Sequence, residues 1–330
     1  MKPVLALLLA SCALAVQARD ALPQHLADTG WQAPGVMSFT PQYPLWSDGA
    51  DKRRWIALPP DAAIDASQPD DWQFPAGTRL WKQFAHGGKP VETRYIERLA
   101  DGSWRFATYV WNERGDDAQL APAGGIAALP VAAAPDGRYA VPGRGDCIAC
   151  HGGAQKVLGF SALQLSPARA TRARPGDLDL RSLVARGLLR GLPPALIDQP
   201  PRVAAATPLE RAALGYLHAN CGHCHNTTGT QAPVRLALMQ RIADSQASRD
   251  EVLRSMLEAP SRYRPPGFGD EARVIAAGHP ERSALVARMA SRDARVQMPP
   301  LGTHVPDAEG LALVAQWILQ LPSSTPEPRP

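Results

Sequence analysis

Residues 147–151 read Cys-Ile-Ala-Cys-His, and residues 221–225 read Cys-Gly-His-Cys-His. A chain that writes Cys-x-x-Cys-His twice must fold so that each copy turns two thiols and an imidazole toward one group. That pentapeptide is the attachment signature of haem c. Its spacing suits the chemistry, because two thiols add across the porphyrin vinyl groups and the adjacent histidine supplies an iron ligand. Cys147, Cys150, Cys221 and Cys224 are thereby assigned to thioethers, with His151 and His225 as proximal iron ligands. Of the five cysteines only Cys12 is left over.

Other uses of the cysteines fit less well. A zinc site draws its two pairs together, whereas 70 residues lie between Cys150 and Cys221, and zinc leaves the trailing histidines unexplained. Thiol redox chemistry uses one Cys-x-x-Cys beside a βαβ pattern, and no such pattern is present. Structural disulfides do not explain the histidines either.

The first residues, Met1-Lys2, precede an apolar run through Ala10, and Val16-Gln17-Ala18 stands before Arg19. This predicts a secretory signal peptide over 1–18. Leu9-Ala10-Ser11-Cys12 also resembles a lipoprotein box, which makes a lipid anchor on Cys12 the alternative; continued hydrophobicity through Val16 favours ordinary cleavage. No run approaches the roughly 20 apolar residues of a spanning helix. Export agrees with the motifs, since bacteria attach haem c outside the cytoplasmic membrane, and the expected compartment is the periplasm. The chain is 45% hydrophobic and 20% charged with a formal charge of +4, which describes a globular protein with no nucleic-acid signature. A local excess of arginine (Arg169, Arg172, Arg174, Arg181, Arg186, Arg190, Arg202 and Arg211) reads as a solvated connector, with propionate pairing or an acidic partner's docking face as the sharper alternative.

Seven of eight tryptophans fall between Trp31 and Trp111, among β-type runs at 52–58, 79–84, 91–97 and 103–111. Asp101-Gly102 divides the last two as a hairpin signal. Residues 36–140 are read as an antiparallel β domain, with 121–145 a loop or linker at its end. A first haem segment follows over 141–202, with no convincing helix before Cys147 and a helix expected from Leu178 to Leu189, stopped by Gly191. Residues 203–322 read as a class I cytochrome c-like domain and 323–330 as a flexible tail. In that domain Thr207 caps a helix with Pro208 at its first position and Glu210 reaching back, and Asp307 caps a closing helix. The predicted class is α+β: an antiparallel β domain followed by a mainly α-helical two-haem region.

Between those helices lies Gln297-Met298-Pro299-Pro300-Leu301-Gly302, in the position of a class I distal methionine loop. Prolines hold such a backbone extended and remove competing amide donors. His225 and Met298 are the expected axial pair, and soft sulfur raises the reduction potential. No partner announces itself for His151. His218 is the one nearby histidine, on the helix serving the other site, and Met37, His86, Met239, Met256, Met289, His279 and His304 are more distant candidates.

These residues resemble a bacterial family of exported dihaem c-type cytochromes that join a β-rich N-terminal region to two haem sites. The likeness lies in residues 43–55, 74–82, 92–94 and 109–112, then in 216–226, 278–285, 288–292 and 298–302. The resemblance implies two covalent haem c groups and redox protein partners. A quinoprotein sugar dehydrogenase is a plausible electron source, because related haem segments occur beside such enzymes. The expected function is periplasmic electron transfer between a dehydrogenase or other redox partner and a respiratory acceptor. The alternatives are a dihaem peroxidase or oxidase with an open His151 haem, and a docking or sensing role for the β domain.

Overall fold

The computed structural model describes residues 21–153, 155–167, 173–227, 232, 234–268 and 272–322. The expected signal peptide over 1–18, Cys12, Arg169, Arg172 and the tail over 323–330 lie outside the described residues. The chain is mixed α+β, built on a six-stranded antiparallel sheet.

In chain order the strands are β1 (Met37–Phe39), β2 (Asp51–Ala57), β3 (Ile64–Asp65), β4 (Arg79–His86), β5 (Lys89–Arg98), β6 (Trp104–Trp111) and β7 (Ala118–Leu120). All but β3 pair as an antiparallel meander in the order β1-β2-β4-β5-β6-β7. The β5–β6 turn is the expected one: Gly102 sits at φ 82°, its N–H donating to the Leu99 carbonyl. Side chains alternate between faces as the pleat requires. Trp81, Tyr95, Ala107 and Tyr109 pack beneath Leu26 and the N-terminal tryptophans. Ile56, Leu80, Ile96 and Trp104 point the other way, into the main core.

Residues 121–145 were expected to be a loop, and they hold a second small sheet instead. Strands β8 (Ile126–Pro130) and β9 (Arg138–Val141) pair antiparallel with a register shift between Ile126 and Leu129. That irregular, half-exposed register leaves no alternation to read.

The first helix, α1 (Arg144–His151), carries the first Cys-x-x-Cys-His itself. Asp146 accepts the Gly143 N–H at 2.9 Å at its start. The helix expected from Leu178 to Leu189 is shorter, α2 (Leu180–Ala185), because Asp179 caps it through Ser182 and Gly187 leaves the helical region at φ 68°. Leu189 enters β10 (Leu189–Arg190), which pairs parallel to β3 and ties this segment to the β region.

A short α3 (Ala195–Asp198) is followed by α4 (Pro208–Asn220), α5 (Ser245–Met256), α6 (Ala284–Ala290) and α7 (Ala308–Leu319). Helices occupy less than half of residues 203–322, so the region is less helical than expected, and loops wall much of the site. Both capping predictions hold at the cap residue: Thr207 accepts from Glu210 N–H and Asp307 from Gly310 N–H. Glu210 reaches back one residue further than a capping box, accepting the Ala206 N–H at 3.2 Å, and its other oxygen takes Arg249 Nε at 2.6 Å.

Helices α4 and α7 cross closely because Gly310 has no side chain: a Cβ there would stand 2.3 Å from the Tyr216 ring. Val314, Trp317 and Ile318 of α7 and Ala213, Leu214 and Leu217 of α4 are buried together. The same hydrophobic cluster takes in Phe39, Ile56 and Leu80 from the sheet and Phe160, Leu165, Leu180 and Leu183 from the segment between. One core therefore runs through all three regions distinguished in the sequence. Among the described residues no helix is long and apolar enough to cross a membrane.

Candidate functional site

Helix α1 ends at His151, and the polypeptide then turns so that the Lys156 carbonyl oxygen lies 2.6 Å from His151 Nδ1. A carbonyl only accepts, so Nδ1 carries the proton and Nε2 keeps its lone pair. This is the orientation a ligating histidine needs. The ring packs against Phe106 at 5.4 Å. Burial pushes the His151 pKa down to about 4 against the pull of the Lys156 hydrogen bond, so the imidazole is neutral at physiological pH.

The second motif begins where α4 stops. Gly222 is required there, because a Cβ would stand 2.6 Å from the His218 carbonyl oxygen and 3.0 Å from Met239 Cα. Asn226 closes the turn by donating to the Gly222 carbonyl at 3.0 Å. The His225 carbonyl accepts the Leu238 N–H at 2.8 Å. No described residue hydrogen-bonds either ring nitrogen of His225, and Nδ1 is fully buried. Burial lowers its pKa, again leaving a neutral ring.

All four thiols are shifted upward by burial, Cys221 to about 12 and Cys224 to about 11. Such shifts favour the protonated thiol over the reactive thiolate, which disfavours thiol redox chemistry.

Met298 faces the same cavity as Cys221, Cys224 and His225, a space of about 390 Å³. Its N–H donates to the Arg288 carbonyl at 3.0 Å, and the Gln297 side chain donates to the Pro299 carbonyl at 3.1 Å, which fixes the loop. The structure therefore brings the sequence-predicted ligand pair to one cavity. Arg235, Arg262 and Arg288 line it too, and among the described residues no carboxylate does.

The Met298 cavity is the second; Cys147, Cys150 and His151 of the first motif line the first cavity, a larger space of about 580 Å³. The charged face of the sheet stands near it. Arg54, Lys82 and Arg94 are directly opposite one another across β2, β4 and β5. Like charges so placed repel. Burial, then the charges of Arg54, Arg94 and Lys52, drives Lys82 well below its ordinary pKa. Arg94 lines the cavity and is held by the fully buried Glu92 at 2.6 Å, which also accepts from Tyr139 at 2.9 Å.

These features fit haem. Each cavity offers two thiols and a neutral imidazole, with apolar walls for a flat macrocycle and guanidinium groups for two propionates. Cys147, Cys150 and His151 would hold one haem, and Cys221, Cys224, His225 and Met298 the other.

The two cavities share a wall. Cys150, His223, Pro299, Pro300 and Leu301 line both. Of the candidates weighed as a partner for His151, His304 alone lines the first cavity. Met289 lines the second, and Met256 is in the core. His86 packs on Tyr139, and His279 pairs with Glu281 at 3.2 Å. Met37 lies in β1, and Met239 backs Gly222. His218 accepts the Gln240 N–H on Nδ1 at 3.0 Å. Sequence reasoning missed His223, which occupies a variable position of the second pentapeptide where spacing carries no signal. No protein-family description, curated protein or solved structure matches this chain.

Proposed function

We propose that the chain is an exported, periplasmic dihaem c-type cytochrome that passes electrons between a dehydrogenase or another redox protein and a respiratory acceptor. The observation that carries this reading is the shared wall: two attachment motifs separated by 69 residues meet at Cys150 and His223. Haem iron, when bound, supplies one-electron chemistry by alternating between ferrous and ferric states.

The residues account for the rest. His151 is oriented by Lys156 to present Nε2, and His225 and Met298 line one cavity as an imidazole and thioether pair. A thioether favours the reduced ion and raises its potential, which suits acceptance from a dehydrogenase. Arg235, Arg262 and Arg288 at one site, and Arg94 at the other, offset propionate charge. The crossing of α4 and α7, with Met298 in the loop before α7, supports reading this region as class I cytochrome c-like. Ile148, inside the first pentapeptide, is 47% exposed and offers apolar surface for a partner beside the first site. A quinoprotein dehydrogenase is the donor that the family resemblance suggests.

Partial reduction of the purified protein with a substoichiometric donor tests the reading. Electrons are expected to redistribute between the two haems at a rate independent of protein concentration. A redistribution rate that rises in proportion to concentration contradicts it. Catalytic consumption of hydrogen peroxide by the reduced protein would make the chain an enzyme instead.

A further inference from the structure

Two histidines other than His151 face the first cavity, His223 and His304. Among the described residues no methionine lines it, so an imidazole is the soft-to-borderline ligand this cavity can offer a second axial position. The two differ in what already occupies them. His304 is 62% exposed, and its ring and the backbone N–H groups of His304 and Val305 all bond Asp48, at 2.8–3.0 Å. Those bonds explain His304 as the anchor of a surface loop. His223 is partly buried, and no described residue hydrogen-bonds either of its ring nitrogens. The His223 ring is therefore left to bond a group seated in the cavity, whereas the His304 ring is already engaged.

Position sharpens the contrast. His223 lies in the wall between the cavities and lines the first one together with His151. The turn that holds it is rigid: its own carbonyl accepts from Asn226 at 3.2 Å, and Gly222 before it admits no side chain.

Resting on the dihaem reading, we propose that His223 is the second axial ligand of the iron held through Cys147, Cys150 and His151. One pentapeptide then serves both sites, with Cys221, Cys224 and His225 binding one haem and His223 reaching the other. The link between the two irons runs through two residues of backbone, and the first iron is closed to small ligands.

Near-infrared magnetic circular dichroism of the ferric protein tests this, with haem counted in the same samples. The wild type is expected to show one bis-imidazole and one imidazole–thioether centre. His223→Ala should lose the bis-imidazole signal, turn one haem high-spin and regain low spin with added imidazole, while the thioether signal persists. His223→Met should convert the bis-imidazole centre to imidazole–thioether. His304→Ala should change neither signal, and this arm carries the test if the His223 variants do not mature. A bis-imidazole signal absent from the wild type, surviving in His223→Ala or lost in His304→Ala overturns the proposal alone. Fewer than two haems per wild-type chain overturns both the proposal and the reading on which it rests.

Discussion

Replacing Met298 by alanine removes the thioether that the loop before α7 presents to the second cavity. On the proposed dihaem reading, the haem should stay attached through Cys221 and Cys224 while its potential falls and its iron becomes high-spin or takes a substitute ligand. A redox titration checks this, and an unchanged potential would show that Met298 is not a ligand. His218 makes a separate prediction about stability. Burial holds its pKa at about 4 against an ordinary 6.5, so between those values the unfolded chain binds a proton that the folded chain refuses. Stability is therefore full above about pH 6.5, falls through that window by up to ~1.4 kcal/mol per pH unit, and levels off below pH 4. His218→Gln should flatten this part of the profile in denaturant titrations at pH 7 and pH 4.5. At this scale the placing of Met298 beside the second motif was legible, because residue type, order and flanking prolines agree. His223 was not, since only the folded chain shows which cavity a residue at a variable position faces.

Among elements, the pair α4 and α7 depends on Gly310. An added methyl would meet the Tyr216 ring at 2.3 Å, and crowding of this kind costs roughly 1–3 kcal/mol. Gly310→Ala should lower the denaturation midpoint and, by moving α7, weaken the Met298 ligand signal; a variant as stable as wild type would show that the crossing tolerates the group. Thr207→Ala removes the hydroxyl that accepts Glu210 N–H and should cost about 1 kcal/mol in the same assay. Both helices could be read in advance because their caps and apolar faces are local signals. The long sheet strands could be read for the same reason, since Trp, Tyr and Phe alternate along them. Strands β8 and β9 could not, because a register shift and half-exposed side chains erase the alternation. The overlong α2 prediction shows a related limit: Leu189 is apolar enough for a helix, but Gly187 releases it to pair with β3.

Across the whole molecule, the core joins Phe39 and Ile56 of the sheet to Phe160 and Leu183 and then to Leu217 and Trp317. The account therefore expects one cooperative unfolding transition, followed together by tryptophan fluorescence and haem absorbance. Two separated transitions would show that the sheet and the C-terminal region are independent. Trp317→Ala, which empties a fully buried site in that core, should cost about 3–5 kcal/mol and lower the midpoint seen by both probes. The two attachment motifs were plain in the sequence, but their meeting at Cys150 and His223 was not, because no local signal encodes which surfaces approach across 69 residues. Everything argued about that wall depends on both motifs carrying their group. A pyridine haemochrome assay on the purified chain, normalised to protein concentration, tests this most directly: the account predicts two covalently bound haems c per chain, and one or none would contradict it.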